Sequence, residues 1–227
     1  MDQVGYIIKN NMNLENIYWY FDGILPHRFC DELIKYGNHH EDQLAMTGDQ
    51  HDKTSKGIPL NETDIKNLKK KRDSRVVWLS DPWIYKEIHP YVHGANRNAG
   101  WNFDWTWSEA CQFTKYKTGQ YYGWHTDSWA KEYREHNNIN YNGKTRKLSV
   151  SVLLSDPSDY KGGDLQFKNK MQEEGDELWE PPSLKKGSII VFPSFIWHRV
   201  KPVTDGIRYS LVAVSYTHLT LPTIYSV

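Results

Sequence analysis

Two histidines in this sequence are each followed, two residues later, by an aspartate. In YYGWHTDSW the pair is His125 and Asp127, and in NHHEDQLA it is His40 and Asp42. Alternate residues of a β-strand point to one face, so His125 and Asp127 could hold a metal ion from the end of a strand. His40 and Asp42 follow a predicted helix in a polar stretch, and we interpret them as solvated surface residues.

A metal site needs a third protein ligand, and the segment FPSFIWHRV offers His198. Alone, His198 is more simply explained as a hydrogen-bonded residue at the edge of a strand. Together with His125 and Asp127, it completes the two-histidine, one-carboxylate set of non-haem Fe(II) oxygenases. That set occupies one side of the metal and leaves positions open for other ligands.

An oxygenase site that uses a dicarboxylic co-substrate also needs a cation for the far carboxylate. Arg208 follows His198 by ten residues, and we expect the turn KPVTDGI to return the chain beside the His198 strand. A guanidinium can bind a carboxylate through two parallel hydrogen bonds. Ser210 would share the strand face of Arg208 and add a hydroxyl donor. An isolated arginine is usually a surface charge, and its place after His198 favours the binding role.

The elements that must position these residues change character along the chain. Two helices are predicted, LPHRFCDELIKYG ending at Gly37 and DPWIYKEIHPYVHGANRNAG, with a polar loop over residues 39–61 between them. From Cys111 onward, short strand-like runs alternate with turn residues, which predicts a sandwich or barrel in one domain. These runs are CQFTKYK, KLSVSVLLS, GDLQFK, GSIIVFP and RYSLVAV.

Four other segments receive structural interpretations. The basic run IKNLKKKR, residues 65–72, is read as a solvated helix end. WNFDWTW, residues 101–107, alternates like a half-buried strand that packs in the core, and SDPSDYKGGDLQF is read as a hairpin. The uncharged end, residues 215–227, is either a terminal strand or a tail foreign to the protein.

Composition narrows the class of protein. The formal net charge is +0 and the isoelectric point is about 7.2, which argues against a general nucleic-acid or anionic-membrane binder. Cys30 and Cys111 are far apart in sequence and form no CxxC motif, which favours a reducing compartment. No apolar run resembles a signal segment or a membrane span. We therefore expect a cytoplasmic protein of undetermined oligomeric state, without a membrane or nucleic-acid partner.

With these residues in view, the chain resembles the Fe(II)- and 2-oxoglutarate-dependent dioxygenases, in their prolyl 4-hydroxylase-like branch. The resemblance is carried by QFTKYKTGQYYGWHTD, YKGGDLQF and LKKGSIIVFPSFIWHRVKPVTDGIRYSLVAV. It implies a mainly β (α+β) fold. The core would be a double-stranded β-helix, or jelly roll, over residues 111–214, with supporting helices in residues 1–110.

The resemblance also implies roles for individual residues. The implied iron ligands are His125, Asp127 and His198. The implied 2-oxoglutarate residues are Arg208, Tyr116 and Ser210. Tyr122 and Trp124 match positions near the substrate mouth, Trp129 belongs to the same aromatic cluster, and all three could equally fill a core. The implied cofactors and co-substrates are Fe(II), 2-oxoglutarate, O2 and L-ascorbate.

The expected activity is hydroxylation of an unactivated C–H bond with release of succinate and CO2. We expect the substrate to be a prolyl residue in a peptide or protein, because aromatic grooves suit Pro-rich chains. One alternative is a small-molecule substrate such as a free amino acid. Another is a cupin-like metalloenzyme that does not use 2-oxoglutarate and does not need Arg208. A third is a jelly-roll binding module without catalysis.

Overall fold

Strands dominate the part of the chain that the structure describes. The computed structural model describes residues 14, 16–128, 141–168 and 178–218. Within these residues there are one short 3-10 helix (Pro157–Asp159) and four α-helices: α1 (His27–Asn38), α2 (Gly48–Ser55), α3 (Glu62–Lys71) and α4 (Pro82–Asn98). The strands are β1 (Trp19–Phe21), β2 (Gln43–Leu44), β3 (Arg72–Asp73), β4 (Arg75–Leu79), β5 (Trp107–Ser108), β6 (Cys111–Lys117), β7 (Tyr121–His125), β8 (Lys144–Leu153), β9 (Tyr160–Gly162), β10 (Leu165–Lys168), β11 (Leu178–Trp179), β12 (Ile189–Pro193), β13 (Trp197–Val200) and β14 (Val203–His218).

The strands form two antiparallel sheets. The major sheet has nine strands in the order β1-β12-β8-β14-β6-β4-β2, with β5 and β9 also paired to β14. The minor sheet has five, in the order β11-β10-β13-β7-β3. Each predicted strand run from Cys111 onward falls on one of these strands. The predicted fold class, a jelly-roll core with supporting helices, is confirmed.

Each face of the major sheet has its own core. The outer face packs against α1 and α4 through buried residues such as Leu33, Ile88 and Leu211. The inner face meets the minor sheet through a second apolar cluster, in which the rings of Phe167 and Phe192 lie 5.0 Å apart. Side chains along a β-strand alternate between the two faces of a sheet. The same strands of the major sheet therefore contribute residues to both cores.

Helix α1 runs one residue beyond its predicted end. Gly37 was expected to stop the helix, but it lies inside it, and the C-cap residue is His39. A Cβ atom at Gly37 would lie only 2.4 Å from a ring atom of Phe113 on β6. Gly37 therefore serves the close approach of helix and sheet, and the prediction of a glycine cap was wrong.

The segment predicted as a loop over residues 39–61 contains β2 and α2. Strand β2 pairs with β4 and forms the edge of the major sheet, and Lys53 of α2 forms an ion pair with Asp64 of α3 at 2.6 Å. Helix α3 begins with a capping box, in which Asn61 accepts from the Asp64 amide at 2.8 Å. The loop prediction was wrong because long-range partners stabilise these short polar elements.

Residues 101–106 do not form the predicted strand. The side-chain amide of Asn96 binds the Phe103 backbone twice, accepting from its N–H at 3.0 Å and donating to its carbonyl at 2.8 Å. Asn102 has a positive φ of 50°. These contacts satisfy the backbone without a strand ladder, and pairing begins only at β5.

The predicted hairpin around the Gly162–Gly163 pair is also replaced by a different connection. Strand β9 pairs with β14, whereas β10 pairs with β13 in the minor sheet. Gly162 and Gly163 have positive φ values of 72° and 69°, which a side chain would disfavour. The two glycines turn the chain from one sheet to the other.

Strand β14 extends to His218, so residues 215–218 continue the major sheet. Residues 219–227 lie outside the described part of the chain. No helix among the described residues is long and apolar enough to cross a bilayer.

The contact at Gly37 predicts opposite effects for two helical glycines. Gly37→Ala should lower the free energy of unfolding by about 1–3 kcal/mol, because the new methyl group would collide with Phe113. Gly94→Ala is the matched control: its Cβ would lie 3.5 Å from Phe21, and the change should stabilise by about 0.4–1 kcal/mol. Urea unfolding measures both. Equal effects would contradict the packing role of Gly37.

Candidate active site

The first two candidate ligands lie where β7 ends. His125 is the last residue of β7, and Asp127 lies two residues beyond it, outside the strand. His125 is paired with His198 on β13, and Tyr122 with Val200. Three steps along β7 therefore match two along β13, which is a β-bulge. The bulge turns both Tyr122 and His125 to the same side of the sheet.

The three candidate ligands converge. His125, Asp127 and His198 each offer a ligand atom within 4.8 Å of the others. Asp127 Oδ1 lies 3.6 Å from His125 Nε2, and Asp127 Oδ2 lies 3.5 Å from His198 Nε2. Among the described residues, no other group of three or more His, Cys, Asp or Glu side chains meets in this way.

Backbone carbonyls fix the orientation of both imidazole rings. His125 Nδ1 lies 2.8 Å from the Gly123 carbonyl oxygen, and His198 Nδ1 lies 3.0 Å from that of Ile196. A carbonyl only accepts, so each Nδ1 carries a proton, and Nε2 is the ring nitrogen that faces the cluster and can bind a metal. Burial, reinforced by His125, lowers the pKa of His198 to about 4. The His198 ring is therefore neutral near pH 7 and can act as a ligand.

Asp127 supplies the negative charge of the cluster. Burial alone would raise the pKa of its carboxyl, but His198, His125 and Arg146 outweigh burial and hold this pKa well below its usual range. Two imidazole nitrogens and one carboxylate, from one buried and two partly buried residues, match the ligand set of a non-haem Fe(II) site. The residues present fit the iron ion that the sequence implied.

Arg72 is a site neighbour that sequence reasoning missed. It was assigned to a solvated helix end, but only 6% of it is exposed. Its guanidinium lies 4.3 Å from the centroid of the Tyr122 ring, which stacks on His125 at 3.5 Å. Burial raises the pKa of Tyr122 to about 12, so the phenol stays protonated. Nothing in the basic run shows that α3 ends with its exposed lysines and that a strand begins at Arg72.

Trp124 is not brought to the cluster. The Trp124 ring lies between the cationic groups of Lys168 and Arg199, at 4.8 and 4.7 Å. Arg199 follows His198 directly, so it occupies the opposite face of the minor sheet. Trp124 therefore points away from the ligands. Trp129 lies outside the described residues.

Arg208 reaches the site from the major sheet rather than from beside His198. The expectation that KPVTDGI would return the chain next to β13 was wrong, because β14 pairs with β6, β8 and β9. Arg208 is paired with Tyr116, and its Cζ lies 5.7 Å from the Tyr116 ring centroid. Ser210, two residues on, is also buried and shares the strand face of Arg208.

The Arg208 side chain carries an unused donor. The residue is 4% exposed, and its Nη1 has no hydrogen-bond partner among the described residues. Such a group costs about 1–3 kcal/mol of free energy when it is left unsatisfied, more if it is charged. A buried cation with a spare donor suits a carboxylate ligand.

A cavity of about 350 Å³ lies next to Arg208, a size found in small-molecule sites (roughly 300–1,000 Å³). Its wall includes Ser151 and Ile190 of the major sheet and Leu165 of the minor sheet, so it lies between the sheets. Ser149, which binds Asp127, precedes Ser151 by two residues on one face of β8, about 7 Å along the strand. The cavity and the ligand cluster are therefore neighbours.

The second histidine–aspartate pair stays outside this site. His40 is exposed, and its Nδ1 lies 2.9 Å from the Tyr36 carbonyl oxygen. Asp42 pairs with Arg75 at 2.9 Å. Each has a structural partner, and among the described residues no third ligand joins them.

A jelly roll with two histidines and a carboxylate between its sheets defines a class, the mononuclear non-haem metal oxygenases. Residues 111–215 match the profile of the 2OG-Fe(II) oxygenase superfamily. The resemblance of the sequence to this superfamily and to its prolyl hydroxylase-like branch is confirmed over these residues, which are just under half of the chain.

A PKHD-type hydroxylase from Synechococcus sp. (strain JA-2-3B'a(2-13)) is 36% identical over 98 residues. The matched segment is 43% of this chain but only 38% of that relative, so the chain spans about two fifths of its length.

Two solved structures share the fold at low sequence identity. The viral collagen prolyl hydroxylase from Paramecium Bursaria Chlorella virus-1, in its 2OG complex, superposes with a TM-score of 0.57 at 19% identity. That match covers 90% of this chain and 98% of the viral protein. A prolyl hydroxylase from Trichoplax adhaerens, in complex with a hypoxia inducible factor peptide fragment, gives 0.56 at 15% identity, covering 94% and 89%.

The convergence of the three ligands predicts the effect of removing each histidine. The purified protein should bind one Mn(II), used as a redox-stable substitute for Fe(II), per chain. His125→Ala and His198→Ala should each abolish this binding, because two remaining ligands hold a metal weakly. Isothermal titration calorimetry measures the stoichiometry and affinity. His40→Ala is the control and should bind as the wild type does; equal loss in that variant would refute the assignment.

Proposed function

We propose that this chain is an Fe(II)- and 2-oxoglutarate-dependent dioxygenase that hydroxylates a prolyl residue in a peptide or protein. The observation that carries the proposal is the buried, incompletely bonded Arg208 guanidinium beside a His-Asp-His cluster. A metal site alone would suit many chemistries. The added cation indicates a co-substrate with a remote carboxylate.

His125, Asp127 and His198 would hold the iron. When bound, the iron and 2-oxoglutarate supply the oxidative chemistry, in which O2 is consumed and succinate and CO2 are released. L-ascorbate would serve to keep the iron reduced.

The protein's own contribution is binding, orientation and exclusion of water. Arg208 would pair with the outer carboxylate of 2-oxoglutarate, and Tyr116 and Ser210, on the same inner face, would add hydroxyl donors. The apolar cluster of Phe167, Phe192 and Ile190 forms part of the space between the sheets. An apolar surrounding strengthens each charged contact because water does not screen it.

The site wall supports the prolyl substrate. Tyr122 lies against His125 and presents a neutral phenol beside the ligand cluster, with Arg72 behind it. An aromatic ring at this position suits a proline ring in an extended, Pro-rich chain. Two proteins of the same fold are prolyl hydroxylases, and one of them holds a peptide.

The cellular compartment of the protein is also a proposal. Cys30 and Cys111 are both free and buried, which suits a reducing compartment, and we propose the cytoplasm. The zero net charge gives no support to a nucleic-acid partner.

Substitution of Arg208 tests the co-substrate. Arg208→Ala should raise the 2-oxoglutarate concentration needed for half-maximal succinate formation by at least about tenfold, because charged hydrogen bonds contribute about 1.5–3 kcal/mol each. Arg199→Ala is the matched control, since Arg199 lies on the outer face of the minor sheet. Succinate released without a prime substrate, measured against 2-oxoglutarate concentration, gives the result. Unchanged affinity in Arg208→Ala would favour the cupin-like alternative.

The substrate is tested by mass spectrometry. Enzyme, Fe(II), ascorbate and 2-oxoglutarate are incubated with Pro-rich peptides and, separately, with free proline. We expect the peptides to gain the mass of one oxygen. Conversion of free proline alone would replace the peptide proposal with a small-molecule hydroxylase. Succinate formation without either product would leave the reaction type standing and reject both substrates.

A further inference from the structure

Asp127 lies beyond the end of β7, so the strand ladder does not fix its position. Its backbone is held by the Ser194 carbonyl, which accepts from the N–H groups of Asp127 and Ser128, each at 2.9 Å. The Asp127 carbonyl in turn accepts from Arg146 Nη1 at 3.1 Å. These contacts set where the Asp127 main chain lies but leave its carboxylate free to rotate.

Two buried hydroxyl groups restrict that rotation. Ser149 Oγ lies 2.7 Å from Asp127 Oδ2 and 2.9 Å from Ser194 Oγ. Ser149 and Ser194 are both 0% exposed. An ionised carboxylate only accepts, so the Ser149 proton points to Asp127, and Ser194 donates to Ser149. The result is a directed chain, Ser194 to Ser149 to Asp127.

This series of hydrogen bonds makes the two carboxylate oxygens of Asp127 unequal. Oδ2 receives the Ser149 hydrogen bond and lies 3.5 Å from His198 Nε2, while Oδ1 receives no hydrogen bond from Ser149 and lies 3.6 Å from His125 Nε2. Hydrogen bonds to a ligating carboxylate fix its direction and typically change metal affinity 10–100-fold when removed.

We propose that the Ser149–Ser194 hydroxyl pair is a positioning device for the metal site, which holds the Asp127 carboxylate at one rotation, with Oδ1 toward His125 and Oδ2 toward His198. The inference rests on the proposed iron site. It assigns a role to Ser194, which lies directly after β12 and binds both the backbone of Asp127 and, through Ser149, its side chain.

Metal affinity without co-substrate or substrate tests this role. Ser149→Ala should weaken Mn(II) binding about 10–100-fold in calorimetry, and Ser194→Ala should weaken it less, because Ser149 can still donate to Asp127. Ser188→Ala is the matched control: Ser188 is also 0% exposed, but it binds Asp22 and the Gly23 amide. It should lose stability without losing Mn(II) affinity.

A double variant separates positioning from general loss of packing. Because Ser194 acts on the carboxylate through Ser149, Ser149→Ala/Ser194→Ala should bind Mn(II) no more weakly than Ser149→Ala alone. Wild-type affinity in Ser149→Ala, or simple additivity in the double variant, would overturn the proposal. If Ser149→Ala fails to fold, Ser194→Ala against Ser188→Ala still decides, because equal affinities there would refute it. Absence of Mn(II) binding in the wild type would instead reject the proposed function.

Discussion

The site depends on one constraint: two β-sheets must share a single layer about 10 Å thick. That layer contains both an apolar cluster and the charged groups Asp127 and Arg208. A charge in such a layer is tolerated only where it is paired or hydrogen-bonded. Asp127 meets this condition through the Ser149 hydroxyl and the positive charge of Arg146. The polar network is therefore a requirement of placing a metal site inside a sandwich.

Irregular backbone, rather than regular strand, brings the functional groups to that layer. The bulge in β7 turns Tyr122 and His125 to one side, and the chain leaves the ladder before Asp127. The two glycines after β9 carry the chain between the sheets, and a Cβ at Gly163 would lie 2.8 Å from Arg208 Cδ. Regular strand pairing thus makes the sheets rigid. Each irregularity in the pairing orients a specific side chain or makes room for one.

The parts predictable from sequence were those with local patterns. Strands can be recognised because apolar and polar residues alternate within a short stretch of sequence. The spacing of the ligands likewise follows from their place at a strand end. The environment of Arg72 was not predictable, since its partners Gln112 and Tyr122 are 40 and 50 residues away. Ser149 likewise reads as one polar residue in a strand until the fold sets it against Asp127. Partners remote in sequence are fixed by topology, and a single sequence contains no record of them.

Arg208 is a residue whose burial lowers the stability of the fold while leaving a donor that is available for binding. Its neighbours on β6 and β14 bury the guanidinium but leave Nη1 without a partner among the described residues, a cost of about 1–3 kcal/mol or more. A core selected only for stability would replace this side chain with an apolar one. In the proposed function, a carboxylate would satisfy this donor with little reorganisation of the protein. The jelly roll therefore keeps a local instability at the place where an anionic ligand can relieve it.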